Sequence, residues 1–253
     1  MGASMIDPEI ESNGLVTTRS LVRGRDTKNL ILDAAEALFS TNGFDGVSMR
    51  DITGLAGVRL ALATYHFTSK ELLFESVVER RMNILNLERL NALADVIASG
   101  NLTVENLLKA FMQPYFRHRI CKDQGWRNYS LLIAQLAQGS RWLPLIEKYF
   151  NATTLRFRDA LCDAMPDAPI EAVARGLAFA IQLMVSELAG NERVNALSNG
   201  TLNGQDVEAA YQDVLPFLLG GFEALARAYG PATKPEKVAK GSDSPTFPEN
   251  AGT

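Results

Sequence analysis

Apolar residues recur every three or four positions through most of the chain, and this spacing predicts amphipathic α-helices. Short segments containing Gly, Asn, Ser or Pro separate the apolar stretches, as expected where helices end. No stretch alternates apolar and polar residues between hairpin signals, so the pattern does not indicate β-strands. The sequence therefore predicts an all-α fold.

The stretch from Ser48 to Phe67 predicts two short helices joined by a tight turn. Ser48 is a suitable N-cap, and Asp51 three residues later resembles the acidic half of a capping box. Gly57 follows the first apolar stripe, where a left-handed C-cap favours a residue without a Cβ. The second helix is expected to face inward through Leu62 and Phe67. The stripe of the first helix consists of Met49, Ile52, Leu55 and Ala56.

The second short helix offers polar side chains outward, which is typical of a helix-turn-helix (HTH) that reads the DNA major groove. Arginine can pair with guanine, and leucine or a threonine methyl can meet a thymine methyl. The candidate base-reading residues are therefore Arg59, Leu60 and Thr64. Candidate contacts to the DNA backbone are Ser48, Arg50, Tyr65, His66 and Lys70. The alternatives are an idle solvated face and, for Tyr65, packing against the first helix.

An ordered match from about Thr27 to Val78 resembles the DNA-binding domain of the TetR family of transcriptional regulators. The chain departs from the family pattern at Thr53, Arg59, Ala61 and Thr64, where Ala, a Ser or Thr cap, a small residue and Tyr are usual. These departures preserve the fold and concern the operator sequence. The matching residues are Ile31, Leu32, Ala34, Ala35, Leu38, Phe39, Gly43, Val47, Ile52, Ala56, Gly57, Val58, Tyr65, His66, Phe67, Ser69, Lys70, Glu71 and Leu72.

The resemblance implies a homodimeric regulator, more a repressor than an activator, that binds a palindromic double-stranded DNA operator. It also implies a small-molecule effector, and a helix after Ser69 that tethers the DNA-reading unit to the rest of the protein. Residues 1–18 show no sustained period and are expected to form a disordered arm, and residues 19–78 are expected to form an N-terminal three-helix HTH DNA-binding domain. A C-terminal helical ligand-binding and dimerisation domain (79–230) and a disordered tail (231–253) follow.

Residues 169–189 and 207–229 carry apolar residues on more than one face. One face can meet the core of the domain. The surplus predicts pairing with the same two segments of a second copy in a four-helix interface. A hairpin buried entirely in its own core is the alternative from the pattern alone, and the resemblance favours the homodimer.

A cavity near Pro114 is the candidate ligand site, because a proline inside a helical pattern predicts a kink or a break. Ligand cavities are lined mainly by apolar and aromatic side chains with a few polar groups. Aromatic residues at helical spacing also fit an ordinary core, and the polar face of residues 117–119 also fits a solvated surface. The candidate lining residues are Phe111, Tyr115, His118, Trp126, Leu132, Phe150 and Met184.

A local excess of basic residues precedes the helix-turn-helix, although the formal net charge of the chain is −4. Because DNA affinity depends on neutralising phosphates, the local charge matters more than the total. The first helix is expected to begin at Asp26 or Thr27, so the basic run predicts an arm that follows phosphates or the minor groove. A solvated tail is the alternative. The basic residues are Arg19, Arg23, Arg25 and Lys28.

Composition does not point to an enzyme, a metal site or a membrane protein. The 253 residues include two histidines and no recognisable nucleophile or phosphate loop, so we expect no catalytic residues and no cofactor. Cys121 and Cys162 are expected to be reduced packing residues. No apolar run approaches the roughly 18–20 residues of a membrane helix, which predicts a cytoplasmic protein. A helical dimeric interaction protein without sequence-specific DNA binding remains the alternative function.

Overall fold

The computed structural model describes residues 9–231, with side chains from residue 26 onward; these residues form ten α-helices and no strand. This confirms the all-α prediction. The first five helices are α1 (Glu9–Asn42), α2 (Met49–Ala56), α3 (Leu60–His66), α4 (Lys70–Ala98) and α5 (Val104–Ile120). The others are α6 (Gln124–Leu136), α7 (Leu143–Ala164), α8 (Ile170–Ala189), α9 (Arg193–Leu197) and α10 (Val207–Tyr229), with a 3₁₀ turn at Ser140–Trp142.

Helix α1 starts well before the expected position at Asp26 or Thr27. The predicted disorder of residues 1–18 is wrong from Glu9 onward, since a helix that has formed can extend through residues without proline. Residues 1–8 lie outside the described residues, as do residues 232–253 of the predicted tail. The side chains of the basic run are described only at Lys28, because those of residues 19–25 lie outside the described part.

Helix α4 connects the two parts of the molecule without interruption. Its 29 residues extend about 44 Å, and Ser69 caps its start by accepting a hydrogen bond from the Leu72 amide. The first half packs against α1, and α4 also packs on α5 and α7. The predicted domain boundary after residue 78 therefore falls inside a continuous helix.

The C-terminal helices enclose a core that is continuous with that of α1–α4. Helix α8 packs extensively on α10, and α6 bridges α8 and α1. Gly176 permits the close α8–α10 packing, because a Cβ there would lie 2.7 Å from the Phe222 ring. The largest fully buried side chains are Tyr129, Phe39, Phe74, Phe111, Phe116, Phe157, Phe222, Ile31, Ile52, Leu73, Met82 and Leu85.

Several local expectations are corrected. Helix α5 continues through Pro114, so the predicted break is wrong. Between α8 and α10 the chain forms the short helix α9, and Asp123 caps the start of α6 at Gln124. Cys121 is exposed and is therefore not a packing residue.

The prediction that no apolar run approaches membrane-spanning length is wrong for helix α8. An 18-residue window within its 20 residues has a mean hydropathy of 1.4, so the helix is long and apolar enough to cross a membrane by length and composition alone. Within this fold, 44% of that window is buried, and the rest of the helix includes the exposed ring of Phe179. The same composition therefore fits a helix with one face in the core and an apolar outer face.

Candidate DNA-binding surface and ligand cavity

The start of α2 is fixed by a complete capping box. The Ser48 hydroxyl accepts a hydrogen bond from the Asp51 amide at 3.2 Å, and the Ser48 amide donates to the Asp51 carboxylate at 2.8 Å. The hydroxyl itself donates to the same carboxylate at 2.6 Å. These hydrogen bonds lower the pKa of Asp51, and the bond to the Ser48 side chain has the largest effect. The Ser48 hydroxyl proton is thus committed to the cap, while Gly57 ends α2 with φ 65° as predicted.

Helix α3 is anchored by Ala63 and Phe67, which are buried. Leu62 is 43% exposed, so the prediction that it faces inward is wrong. Leu55 of α2 is also exposed, unlike the rest of its predicted stripe. A small residue at position 63 lets α3 approach α1 and α2 closely, and it turns the neighbouring leucines outward.

The outer face of α3 carries most of the predicted DNA-contacting side chains. Arg59 precedes the helix in an extended conformation, makes no side-chain cap and is exposed. Tyr65 is 80% exposed, so it does not pack against α2, and it meets the half-buried His66 edge-on at 5.3 Å. The Thr64 hydroxyl donates to the Leu60 carbonyl at 2.8 Å, which leaves the methyl group as its outward feature.

Lys70 fastens the turn between α1 and α2. Its ammonium donates to the carbonyl oxygens of Phe44 at 3.0 Å and Val47 at 2.9 Å. The same ammonium lies 4.2 Å from the centre of the Phe44 ring. Two of its three N–H groups are therefore engaged within the protein. Arg50, in contrast, is exposed on α2.

A cavity of about 230 Å³ lies among α4, α5, α6, α7 and α8. It contains four of the seven predicted lining residues, namely Phe111, Tyr115, Phe150 and Met184. The sequence did not indicate the rest, because they come from helices far apart in the chain. These other lining residues are Met82, Arg89, Ile133, Leu136, Ala137, Leu143, Ile146, Asn151, Thr154, Ile181, Gln182 and Val185.

The other three predicted lining residues lie elsewhere. His118 points to α4, with its Nε2 atom 3.0 Å from a Glu88 carboxylate oxygen, and its ring stacks on Trp126 at 4.0 Å. The guanidinium carbon of Arg81 also lies 4.9 Å from the centre of the Trp126 ring. Leu132 is buried in the core. His118 and Trp126 therefore hold α4, α5 and α6 together.

Arg89 is the lining residue that matters most and that the sequence reading missed. It is 3% exposed, and its Nε atom donates to the Phe111 carbonyl oxygen at 2.8 Å. Its guanidinium carbon lies 4.1 Å from the Phe111 ring centre. Burial lowers the pKa of Arg89 to about 10, so the guanidinium stays charged at neutral pH. A usable signal was present, since Arg89 continues the buried α4 stripe of Met82 and Leu85.

Helices α8 and α10 share an apolar outer groove. Phe217 is 70% exposed and Phe179 is 51% exposed, whereas Leu218 and Phe222 face the core. Within the described chain, these two large aromatic side chains on the groove remain uncovered. The pattern of residues 169–189 and 207–229 is therefore divided between a core face and an outward face.

Comparison with known proteins identifies both parts of the chain. Residues 31–77 match the model of bacterial regulatory proteins of the tetR family, and residues 109–221 match the tetracyclin repressor-like C-terminal domain. The biofilm operon icaADBC HTH-type negative transcriptional regulator IcaR of Staphylococcus aureus (strain Newman) is 37% identical over 59 residues, which is 23% of this chain and 32% of that protein. The chain thus spans about a third of the length of the curated relatives it matches.

Solved structures share the fold at low identity. The hemolysin II transcriptional regulator HlyIIR superposes with a TM-score of 0.53 and 18% identity, covering 80% of this chain and 98% of its own. The transcriptional regulator SCO4942 from Streptomyces coelicolor gives 0.54 and 21% identity over 77% of this chain and 97% of its own. Given the two family models and this common fold, the chain belongs to the TetR family of bacterial regulatory proteins.

Proposed function

We propose that this protein is a ligand-responsive transcriptional regulator of the cytoplasm, acting as a repressor that binds a palindromic DNA operator as a homodimer. The observation that carries the proposal is the short helix α3, which is set by the capped α2 and presents Arg59, Leu60 and Tyr65 to solvent. A helix of this kind, following a tight turn, is suited to the major groove.

The proposed contacts divide into reading and positioning. Arg59, Leu60 and the Thr64 methyl group read base edges. Ser48 acts mainly by fixing the first turn of α2, since its hydroxyl is engaged with Asp51. The DNA backbone is contacted by Arg50, Tyr65, His66 and the remaining N–H group of Lys70.

The homodimer is proposed to form through α8 and α10. Phe179 and Phe217 would be buried against the same helices of a second copy, which removes two large rings from water. Gly221 also lines this groove, and a Cβ there would meet no atom of its own chain within 4 Å, so this position allows a close approach of the partner. The two-fold axis of such a dimer would place one α3 helix on each half-site.

A small-molecule effector in the cavity would act on α3 through the connection between α6 and α7. Ala137 and Leu143 line the cavity and flank the turn that carries Trp142. Trp142 contacts Phe44 of the α1–α2 turn with ring centres 5.1 Å apart. A ligand can release DNA only if it binds one arrangement of these elements better, typically by about 1–3 kcal/mol.

The test is selection of bound duplexes from random DNA with the purified full chain, followed by sedimentation of the protein alone and on the selected duplex. We expect an inverted repeat bound by one dimer. A protein that dimerises yet prefers no duplex at low ionic strength would instead support the helical interaction protein. A stable monomer would contradict the two-fold arrangement.

A further inference from the structure

The ligand cavity contains one charged side chain and no acidic residue. Arg89 lies on α4 and is almost fully buried. Among the described residues, no carboxylate lies within ion-pair distance of its guanidinium group. A buried charge without a counter-charge is strongly unfavourable, which is why such groups are normally paired. The unpaired guanidinium therefore points to a ligand that supplies the missing negative charge.

The hydrogen bonds of Arg89 leave the end of the guanidinium available. Nε donates to the Phe111 carbonyl oxygen at 2.8 Å, and Nη2 meets the weak acceptor Met184 Sδ at 3.5 Å. Among the described residues, no other acceptor is bonded to this side chain. A planar fork with free N–H groups is suited to a carboxylate, which can accept two of them at once.

Tyr115 offers a second donor in the same cavity. Its hydroxyl is buried and makes no hydrogen bond of normal geometry within the described chain. The neighbouring Ser130 hydroxyl donates its proton to the Trp126 carbonyl at 2.8 Å. Burial raises the pKa of Tyr115, although a hydrogen-bonding contact with Ser130 opposes this, so its hydroxyl stays protonated and can donate to an anion in place of the Ser130 oxygen.

We propose that the cavity binds a small apolar monocarboxylate, with its carboxylate on Arg89 and the Tyr115 hydroxyl and its hydrocarbon part among Phe111, Phe150 and Ile181. This names the effector class of the proposed regulator and, in that role, rests on the proposed function. The volume of about 230 Å³ lies below the ~300–1,000 Å³ of sites for drug-sized ligands, so the ligand is small. Asn151 is exposed and marks the entrance.

A purely structural role for Arg89 is the competing explanation. Its Nε–H supports the Phe111 carbonyl of α5, next to the Ala110 carbonyl that loses its helical donor to Pro114. That role uses one N–H group and requires no ligand. If Arg89 is purely structural, ligands with and without a negative charge should bind with equal affinity. If it binds a carboxylate, the charged ligand should bind more tightly.

The experiment is calorimetric titration of the full chain with straight-chain monocarboxylates from butanoate to decanoate, each paired with the primary alcohol of equal length. We expect at least one carboxylate to bind about tenfold or more tightly than its alcohol, as one charge-assisted hydrogen bond can provide. Arg89→Met should abolish this preference while the alcohol still binds. Tyr115→Phe should reduce the preference for the carboxylate severalfold, while the charge of Arg89 is retained.

Arg119→Met is the matched control, because Arg119 is also a buried arginine whose Nε donates to a backbone carbonyl, that of Leu188 at 2.8 Å, outside the cavity. It should leave the carboxylate preference unchanged. Equal binding of acids and alcohols, equal carboxylate binding by Arg89→Met, or no binding in the series would overturn the proposal. If Arg89→Met fails to fold, the wild-type comparison and Tyr115→Phe decide. Binding of selected duplex, measured separately, tests the proposed function independently.

Discussion

Trp142 lies against Phe74 with their ring centres 4.4 Å apart, and this contact joins the α6–α7 connection to the start of α4. Trp142 also meets Phe44, and the adjacent Arg141 donates to Asp45 at 2.7 Å. The wall of the cavity and the α1–α2 turn are therefore packed together, so a displacement of one shifts the other.

Replacing Trp142 tests this connection. Trp142→Ala should leave carboxylate binding within about twofold but reduce the effect of ligand on DNA affinity, since Trp142 packs on both Phe44 and Phe74 between the cavity wall and the α1–α2 turn. Amide exchange of residues 43–47 should become faster because the turn loses its packing. Trp142→Phe is the control that preserves a ring. Full ligand response in Trp142→Ala would show that coupling takes another route.

Arg59→Ala should change base preference at one or two positions of each half-site. The exposed guanidinium precedes α3 and makes no cap bond, so its removal should not alter folding. Loss of a bidentate contact to guanine costs about 1–3 kcal/mol of discrimination. Repeating the selection from random DNA with the variant measures this. If the variant selects the same DNA motif as the wild type, Arg59 does not read a base.

Lys70→Met has two separable consequences. Two carbonyl groups lose a charged donor, so the free energy of unfolding should fall by about 1–3 kcal/mol. If the remaining N–H group meets a phosphate, affinity for all duplexes falls and the salt slope decreases by about one. Arg50→Met, on the exposed face of α2, should change the slope without changing stability. An unchanged slope for Lys70→Met would confine Lys70 to anchoring the turn.

If the proposed homodimer forms through α8 and α10, Phe217→Asp should yield a folded monomer, because the ring is exposed on α10 in the single chain. Leu218→Asp cannot test the interface, since Leu218 is buried and a charge there would destabilise the core. Sedimentation of Phe217→Asp, with circular dichroism to verify folding, gives the measurement. A variant that sediments as a dimer would place the interface elsewhere.

Glu75 should make stability depend on pH in the acid range. Hydrogen bonds from Lys148 and then from Tyr149, the latter at 2.7 Å, lower the pKa of the Glu75 carboxyl group. Its contribution is therefore complete above the unfolded pKa of about 4.3 and is lost as pH falls through the lower folded pKa. Glu75→Gln should melt at a lower temperature at pH 7, with a difference that narrows below about pH 4.

Glu71→Gln is the matched control for this pH dependence. Glu71 is exposed near the start of the same helix, and the described residues place no cation within ion-pair distance of it. Its replacement should leave the melting temperature almost unchanged at both pH values. A constant difference between wild type and Glu75→Gln across the acid range would mean that the charge of Glu75 contributes nothing.

The sequence by itself determined the features that neighbouring residues control. The capping box of Ser48 and Asp51, the left-handed Gly57 and the bounds of the long C-terminal helices follow from contacts within a few positions. Such contacts depend on local backbone geometry, so they can be read from spacing. The ordered pattern across α1–α4 also indicated the family.

Tertiary structure decided which of several apolar residues turns inward and which polar groups meet. Ala63 rather than Leu62 anchors α3, because the space between α1 and α2 admits a small side chain. Arg89 meets Phe111 and Met184, which lie 22 and 95 positions away along the chain. Such partners are set by how whole helices pack, and helical periodicity records which positions share a face but not what that face will touch.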